Sequence, residues 1–273
     1  MIDALRWLVF AIATFAMNFP VLATLTASLK SEGELTSSPA LLPAAPTLEN
    51  YRAILVLTDR FDIFHFLWNS VVASGIGAAL ALFLGFPAAY AMVRFGTGQR
   101  ILVPLVVNLR AVPLIVFAIP IYLMYQQVAL LDTRLGLGLI LCLVNLPLVV
   151  LLCANQVRSL PIELEEAARV DGASTVALLL RVVVPVSWAV IASTCLLSFI
   201  YGWNEFLFGL ILTTREAVPV TVGASFFFAA SGGGVRWGVA AAVMILATLP
   251  PLLLGLVMYR HVGRSLMVGA VKG

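Results

Sequence analysis

Residues 161–185 read PIELEEAARVDGASTVALLLRVVVP, a polar, acidic stretch set between long apolar runs. Pro161 near the start, Glu163, Glu165 and Glu166 in the first turns and Gly172 at the end predict one short helix. Proline is tolerated at a helix start, carboxylates favour the positive end of the helix dipole, and glycine ends helices in the left-handed conformation. Ser174 is placed to cap a second helix. Gly172 lets the chain reverse, while Ala167, Ala168 and Ala173 keep the surface low enough for close approach by another protein. From these residues alone, a solvated loop between two spans and a docking loop for a soluble partner stand about level.

The flanking sequence sets the fold class. Mean hydropathy is +1.08, 62% of the 273 residues are hydrophobic and 11% are charged, so the apolar surface cannot all be hidden in one soluble core. Lipid must be the solvent. Uncharged stretches long enough to cross a bilayer, about 20 residues each, run near Trp7–Leu29, Phe66–Val93, Ala111–Leu131, Leu135–Val157, Val182–Asn204 and Trp237–Tyr259. The expectation is an all-α integral membrane protein with about six transmembrane helices in a single domain over residues 1–273. The segment 217–235 is also uncharged, but Pro219 and Gly232-Gly233-Gly234 assign it to an outer loop with a partial or interfacial helix.

Within residues 158–184 and just beyond, Glu166-Ala167-Ala168, Gly172, Val182, Val184 and Pro185 fall at the spacing of the "EAA" loop of permease subunits of bacterial ABC importers. Only the two valines depart from that pattern. With Asp171-Gly172-Ala173, the loop resembles the carbohydrate-importer branch containing the maltose permeases. "SLKSEGEL" from Ser28, "NSVVASG" from Asn69, "AAYAMVRF" from Ala88, "GWNEFLFGLILTT" from Gly202 and "GAVKG" from Gly269 agree with it, so the resemblance covers nearly the whole chain. It implies a type I ABC importer permease fold. The loop bearing Glu163, Glu166, Ala167, Ala168, Asp171, Gly172, Ala173 and Pro185 would sit in a groove of an ATPase subunit. The implied partners are a second permease subunit, two copies of the ATPase and a periplasmic or lipid-anchored solute-binding protein. The implied solute is a sugar, a sugar derivative or a polyol derivative.

A loop that docks on an ATPase faces the cytoplasm. With both termini inside, Arg94, Arg100, Arg158, Arg169 and Arg181 also lie there, a modest positive-inside bias. The bacterial inner membrane is the expected location. The polar stretch 30–65, with Pro39, Pro43 and Pro46 followed by TLENYRAIL, then becomes a periplasmic loop carrying a short helix from about Leu48. The first apolar run is long for a secretory signal and reads as a retained span.

Cys142, Cys153 and Cys195 lie in apolar spans without paired spacing, and His65 and His261 sit at span ends, so no metal is implied. A net charge of +3 without a basic patch gives no reason to expect nucleic acid. Lys30 and Lys272 are the only lysines, and neither ends a glycine-rich phosphate loop. The expectation is therefore no cofactor on this chain, with ATP-Mg bound and hydrolysed by partner subunits.

Polar residues within spans are candidates for a solute path, because burying them in hydrocarbon is costly. Tyr201, Asn204, Glu205 and Phe208 are read as sharing one helical face that could hydrogen-bond and stack on a sugar. Asn204 and Glu205 read at least as well as residues that join helices through hydrogen bonds or pair with a basic residue of the partner permease. Arg110, Asn145 and Asn108 are weaker candidates; Arg110 would bind an anionic solute group, pair with a carboxylate of a partner permease, or snorkel to the headgroups. A secondary transporter would show inverted repeats and coupling carboxylates, yet only Glu205 qualifies. An intramembrane enzyme would need a nucleophile motif or a metal motif, and no GxSxG or HExxH is present.

Overall fold

The structure is a computed structural model that describes residues 2–56, 61–227 and 235–270, with the side chains of 2–4, 102, 107, 110 and 259–270 outside the description. The predicted spans correspond to α1 (Ile2–Ser28), α4 (Ile63–Phe95), α6 (Ile115–Gln127), α7 (Arg134–Ser159), α11 (Trp188–Trp203) and α14 (Trp237–Ala270), and α5 (Gln99–Ala111) is a helix that no predicted span covered. Between them lie α2 (Glu32–Ser37), α3 (Glu49–Leu55), α8 (Ile162–Val170), α9 (Thr175–Leu178), α10 (Val184–Val186), α12 (Leu207–Leu212) and α13 (Val220–Ser225). Helices satisfy every backbone group internally, which the bilayer core demands. Among the described residues, four segments are helical, long and apolar enough to cross it: Leu5–Ser28, Ile63–Phe95, Arg134–Ser159 and Trp237–Met258.

Two predicted spans differ from expectation. The stretch Ala111–Leu131 is helical over only part of its length: Pro113 supplies no N–H, and Val112 before it turns extended (ψ 128°), so α5 ends at Ala111 and α6 begins only at Ile115. At 13 residues α6 is only about 20 Å long, short of a hydrocarbon core. The stretch Val182–Asn204 is bent by 79° between Thr175–Val186 and Trp188–Trp203. Its first part carries a π-helical turn, Leu179–Val183, followed by Pro185.

The chain divides into two compact units, Met1–Leu67 with Val220–Leu249, and Trp68–Pro219 with Pro250–Gly273. In the first, residues 30–56 carry more helix than their prolines suggest. The expected short helix is α3, beginning at Glu49, and α2 is an addition, capped by Ser31 Oγ, which accepts from Glu34 N–H. Buried Asn50 donates to the carbonyls of Ser28 (3.0 Å) and Lys30 (2.7 Å). The expected partial helix in 217–235 is α13, where Gly223 lies flat against the Phe66 ring; Gly232–Gly234 lie outside the described residues.

In the second unit, α4 presents Ala73, Gly77, Ala81, Gly85 and Ala89 at four-residue intervals. These small residues let α7 approach closely: a Cβ on Gly77 would fall 2.7 Å from Leu141 Cβ, and one on Gly85 2.7 Å from Val149 Cγ1. A core of Phe86, Tyr90, Met92, Val149, Cys153, Val157, Leu178 and Val183 continues from this contact to the 161–185 loop. Cys142 and Cys153 are buried and Cys195 is half-buried.

Candidate functional site

The loop takes the predicted form. Helix α8 ends in a Schellman turn: Gly172 adopts φ +82° and its N–H donates to Arg169 O, while Ala173 N–H reaches back to Ala168 O, both at 3.0 Å. Ser174 Oγ then accepts from Ala177 N–H and caps α9. Glu163, Glu166, Ala167, Asp171 and Gly172 are exposed, as is Val170, at 88%. Ala168 and Ala173 instead pack partly against the core beneath, and Pro185 sits exposed in α10.

One acidic residue of α8 points the other way. Glu165 is 1% exposed, and its carboxylate accepts from Arg94 Nε at 2.7 Å and Tyr90 OH at 2.8 Å. Arg94 spends a second donor on Leu160 O (3.1 Å), and Arg169 stands 3.7 Å from Glu165 Oε2. A buried carboxylate is stable only when paired and hydrogen-bonded in this way. The sequence reading passed over Glu165, Tyr90 and Arg94 as site residues. The available signal was an arginine ending a span that must face the same side as an acidic loop.

The proposed solute face is rearranged. Tyr201, Asn204, Glu205 and Phe208 do not share one helical face, because α11 stops at Trp203 and Phe208 belongs to the separate helix α12. The Glu205 carboxylate caps that new helix, accepting from Phe208 N–H (3.2 and 3.0 Å to its two oxygens) and Gly209 N–H (3.3 Å). Asn204 folds back onto Ile200 O at 2.8 Å. Tyr201 and buried Phe208 nevertheless meet at an apolar cavity of about 170 Å³, lined also by Leu109, Phe117, Val144 and Pro147. Asn145 is fully buried beside it but does not line it, and its amide has no partner among the described residues. Asn108 is exposed at the end of α5, and the Arg110 side chain lies outside the described residues.

Opposite the loop along α4 and α7 lies a second polar lock. Asp132 accepts the consecutive backbone N–H groups of Thr214, Arg215, Glu216 and Ala217. Burial pushes its carboxyl up, but these four donors outweigh burial and hold it at about 2. Asn69, itself held by Arg134, braces the same segment through the carbonyls of Glu216 and Val218.

Residues 81–268 match the family described as the inner membrane component of binding-protein-dependent transport systems. The chain belongs to this family. Such a permease component is a multi-pass membrane protein, not itself catalytic, that works with an ABC ATPase and a binding protein. This permease is 32% identical over 257 residues to the trehalose transport system permease protein SugB of Mycobacterium tuberculosis, covering 93% of this chain and 92% of that protein. It is 29% identical over 272 residues to the sulfoquinovosyl glycerol transport system permease protein SmoH of Agrobacterium fabrum, covering 98% and 94%. Its fold resembles a bacterial ABC transporter that imports the acidic polysaccharide alginate, with a TM-score of 0.79 at 20% identity over 95% of each chain.

Proposed function

We propose that this permease imports a carbohydrate, a sugar derivative or a polyol derivative, by alternating access driven by two copies of an ATPase that seat the 158–184 loop. The observation that carries this reading is the loop itself: a rigid αα turn whose exposed Glu163, Glu166, Ala167, Asp171 and Gly172 face outward while Glu165 clamps it from below. ATP-Mg belongs on the ATPase subunits. A second, different permease subunit completes the solute path, which on this side includes Tyr201 and Phe208 at the cavity. Glu205 acts there as a helix cap rather than a sugar contact. The chain lies in the inner membrane with both termini cytoplasmic, and the binding protein delivers solute at the opposite face. The saccharide systems of the relatives support the carbohydrate class, and they include neutral and anionic saccharides.

Arg110 is assigned to a pair with a carboxylate of the second permease. Arg110→Gln should then reduce uptake of neutral and anionic substrates alike, whereas selective loss of an anionic one would assign it to the solute. The solute class is tested with proteoliposomes containing both permeases, the ATPase and the binding protein, loaded with ATP and offered labelled trehalose, raffinose and a uronic-acid disaccharide. ATP-dependent accumulation of one of them is expected. Failure of all three, together with ATP-dependent accumulation of an amino acid or a metal ion, would overturn the carbohydrate reading.

A further inference from the structure

Motion at the docking loop has three routes into the membrane helices. Two are covalent: backward through Leu160 into α7, and forward through the π-helical turn and α10 into α11. Helix α4 has no such connection, for Arg94 and Tyr90 lie 71 and 75 residues before Glu165. Its polar link to the loop is the buried carboxylate cluster, supported by the apolar contacts of Met92, Leu178 and Val183. An ion pair 1% exposed on one side and 11% on the other, with a tyrosine hydroxyl on the second oxygen, fixes direction as well as distance. The far part of α4 is also held by a buried amide: Asn69 donates to Glu216 O and Val218 O and accepts from Arg134 Nε. From Asn69 to Arg94 the helix runs roughly 37 Å at 1.5 Å per residue, enough to cross the hydrocarbon.

We propose that the Glu165–Arg94–Tyr90 cluster makes α4 a transmission rod, so that movement of the docking loop is delivered through α4 to the 214–218 segment at Asn69. This rests on the docking reading above. Glu165 is then a positioning residue that touches neither ATPase nor solute. Its neighbours Glu163 and Glu166 meet the ATPase, and Glu165 converts that contact into displacement of a helix distant in sequence. The close α4–α7 stripe at Gly77 and Gly85 lets the rod carry load without flexing away from its neighbour.

The test uses the assembled transporter of both permeases and ATPase, with Cys142, Cys153 and Cys195 replaced by Ala. Spin labels are placed at Val170→Cys on exposed α8 and Phe83→Cys on the exposed side of α4. The label-to-label distance is read without nucleotide and with ATP-Mg plus vanadate. With Glu165 and Arg94 intact it should stay the same, because loop and rod move together. In Glu165→Gln it should shift on adding nucleotide, as the loop moves and α4 lags. Arg94→Lys keeps the charge but cannot span Glu165 and Leu160 O at once, and should shift it less. Nucleotide-independent distances in both variants, with the ATPase bound and turning over, overturn the rod while leaving docking intact. A parent chain that retains no ATPase overturns both.

Discussion

Arg134 Nε donates to Asn69 Oδ1 at 2.6 Å, joining the first turn of α7 to α4, and the same amide's Nδ2 reaches two carbonyls of the 214–218 segment. Two helices and a loop therefore depend on one buried asparagine. Asn69→Leu strands two carbonyls and a guanidinium, and each buried group left unpaired costs about 1–3 kcal/mol. The variant should unfold at a clearly lower temperature in detergent. Asn69→Asp keeps the bond to Arg134 but turns an oxygen on two carbonyls, and it too should lower the midpoint; an unchanged midpoint in both would contradict the bracing role.

Asp132 makes the same segment sensitive to acid. Its folded pKa is lowered to about 2 from an ordinary 3.8, so the ionised form is favoured by folding. Its contribution is therefore fully present above pH 3.8, falls as pH drops toward 2, and is gone below that. Comparing the protein with Asp132→Asn, the gap in thermal midpoint should be constant from neutrality to about pH 4 and close between pH 4 and 2. A gap that persists to pH 2 would mean that the four N–H donors do not hold the carboxylate.

The spans were legible because hydrophobicity over about 20 residues depends on composition alone. The loop was legible because Gly172 and Ser174 act within a turn of their own positions. What lay hidden depended on distance in sequence or on breaks inside apolar runs. Glu165 resembles Glu163 and Glu166 in every local respect, and only the return of α4 to the loop separates its buried role from theirs. The late start of α6, at Ile115 rather than Ala111, could have been suspected from Pro113. The end of α11 at Trp203 carries no proline, and continuing the helical period through Asn204 placed Phe208 on the wrong element.

Two glycines of the α4 stripe should differ under the same substitution. A methyl at Gly77 meets Leu141 Cβ at 2.7 Å and the Cys142 backbone nitrogen at 3.2 Å, which cannot yield without moving α7. At Gly85 the close atom is Val149 Cγ1, which a rotamer change can displace. Gly77→Ala should destabilise by about 1–3 kcal/mol, typical of an overpacked core, and Gly85→Ala by less. Thermal unfolding in detergent reads the order, and the reverse order would contradict the packing.

At Gly172 the restriction is backbone conformation alone, since no atom lies within 4 Å of a Cβ built there while φ is +82°. A left-handed residue other than glycine costs about 1–2 kcal/mol, with asparagine the mildest and a β-branched residue the worst. ATP-dependent uptake should fall in the order Gly172→Asn, then Gly172→Ala, then Gly172→Val. Equal uptake by all three at matched membrane abundance would mean that the turn is not used.

Seating of the 158–184 loop on an ATPase is read from how much ATPase subunit remains on the affinity-purified permease. The native chain should carry the ATPase through purification. Glu166→Lys, which reverses an exposed charge at the proposed contact, should lose most of it while staying in the membrane at normal abundance, and Tyr201→Ala, at the cavity, should keep it. Full retention by Glu166→Lys and Gly172→Val, at the level of the native chain, would mean that the loop does not seat the ATPase.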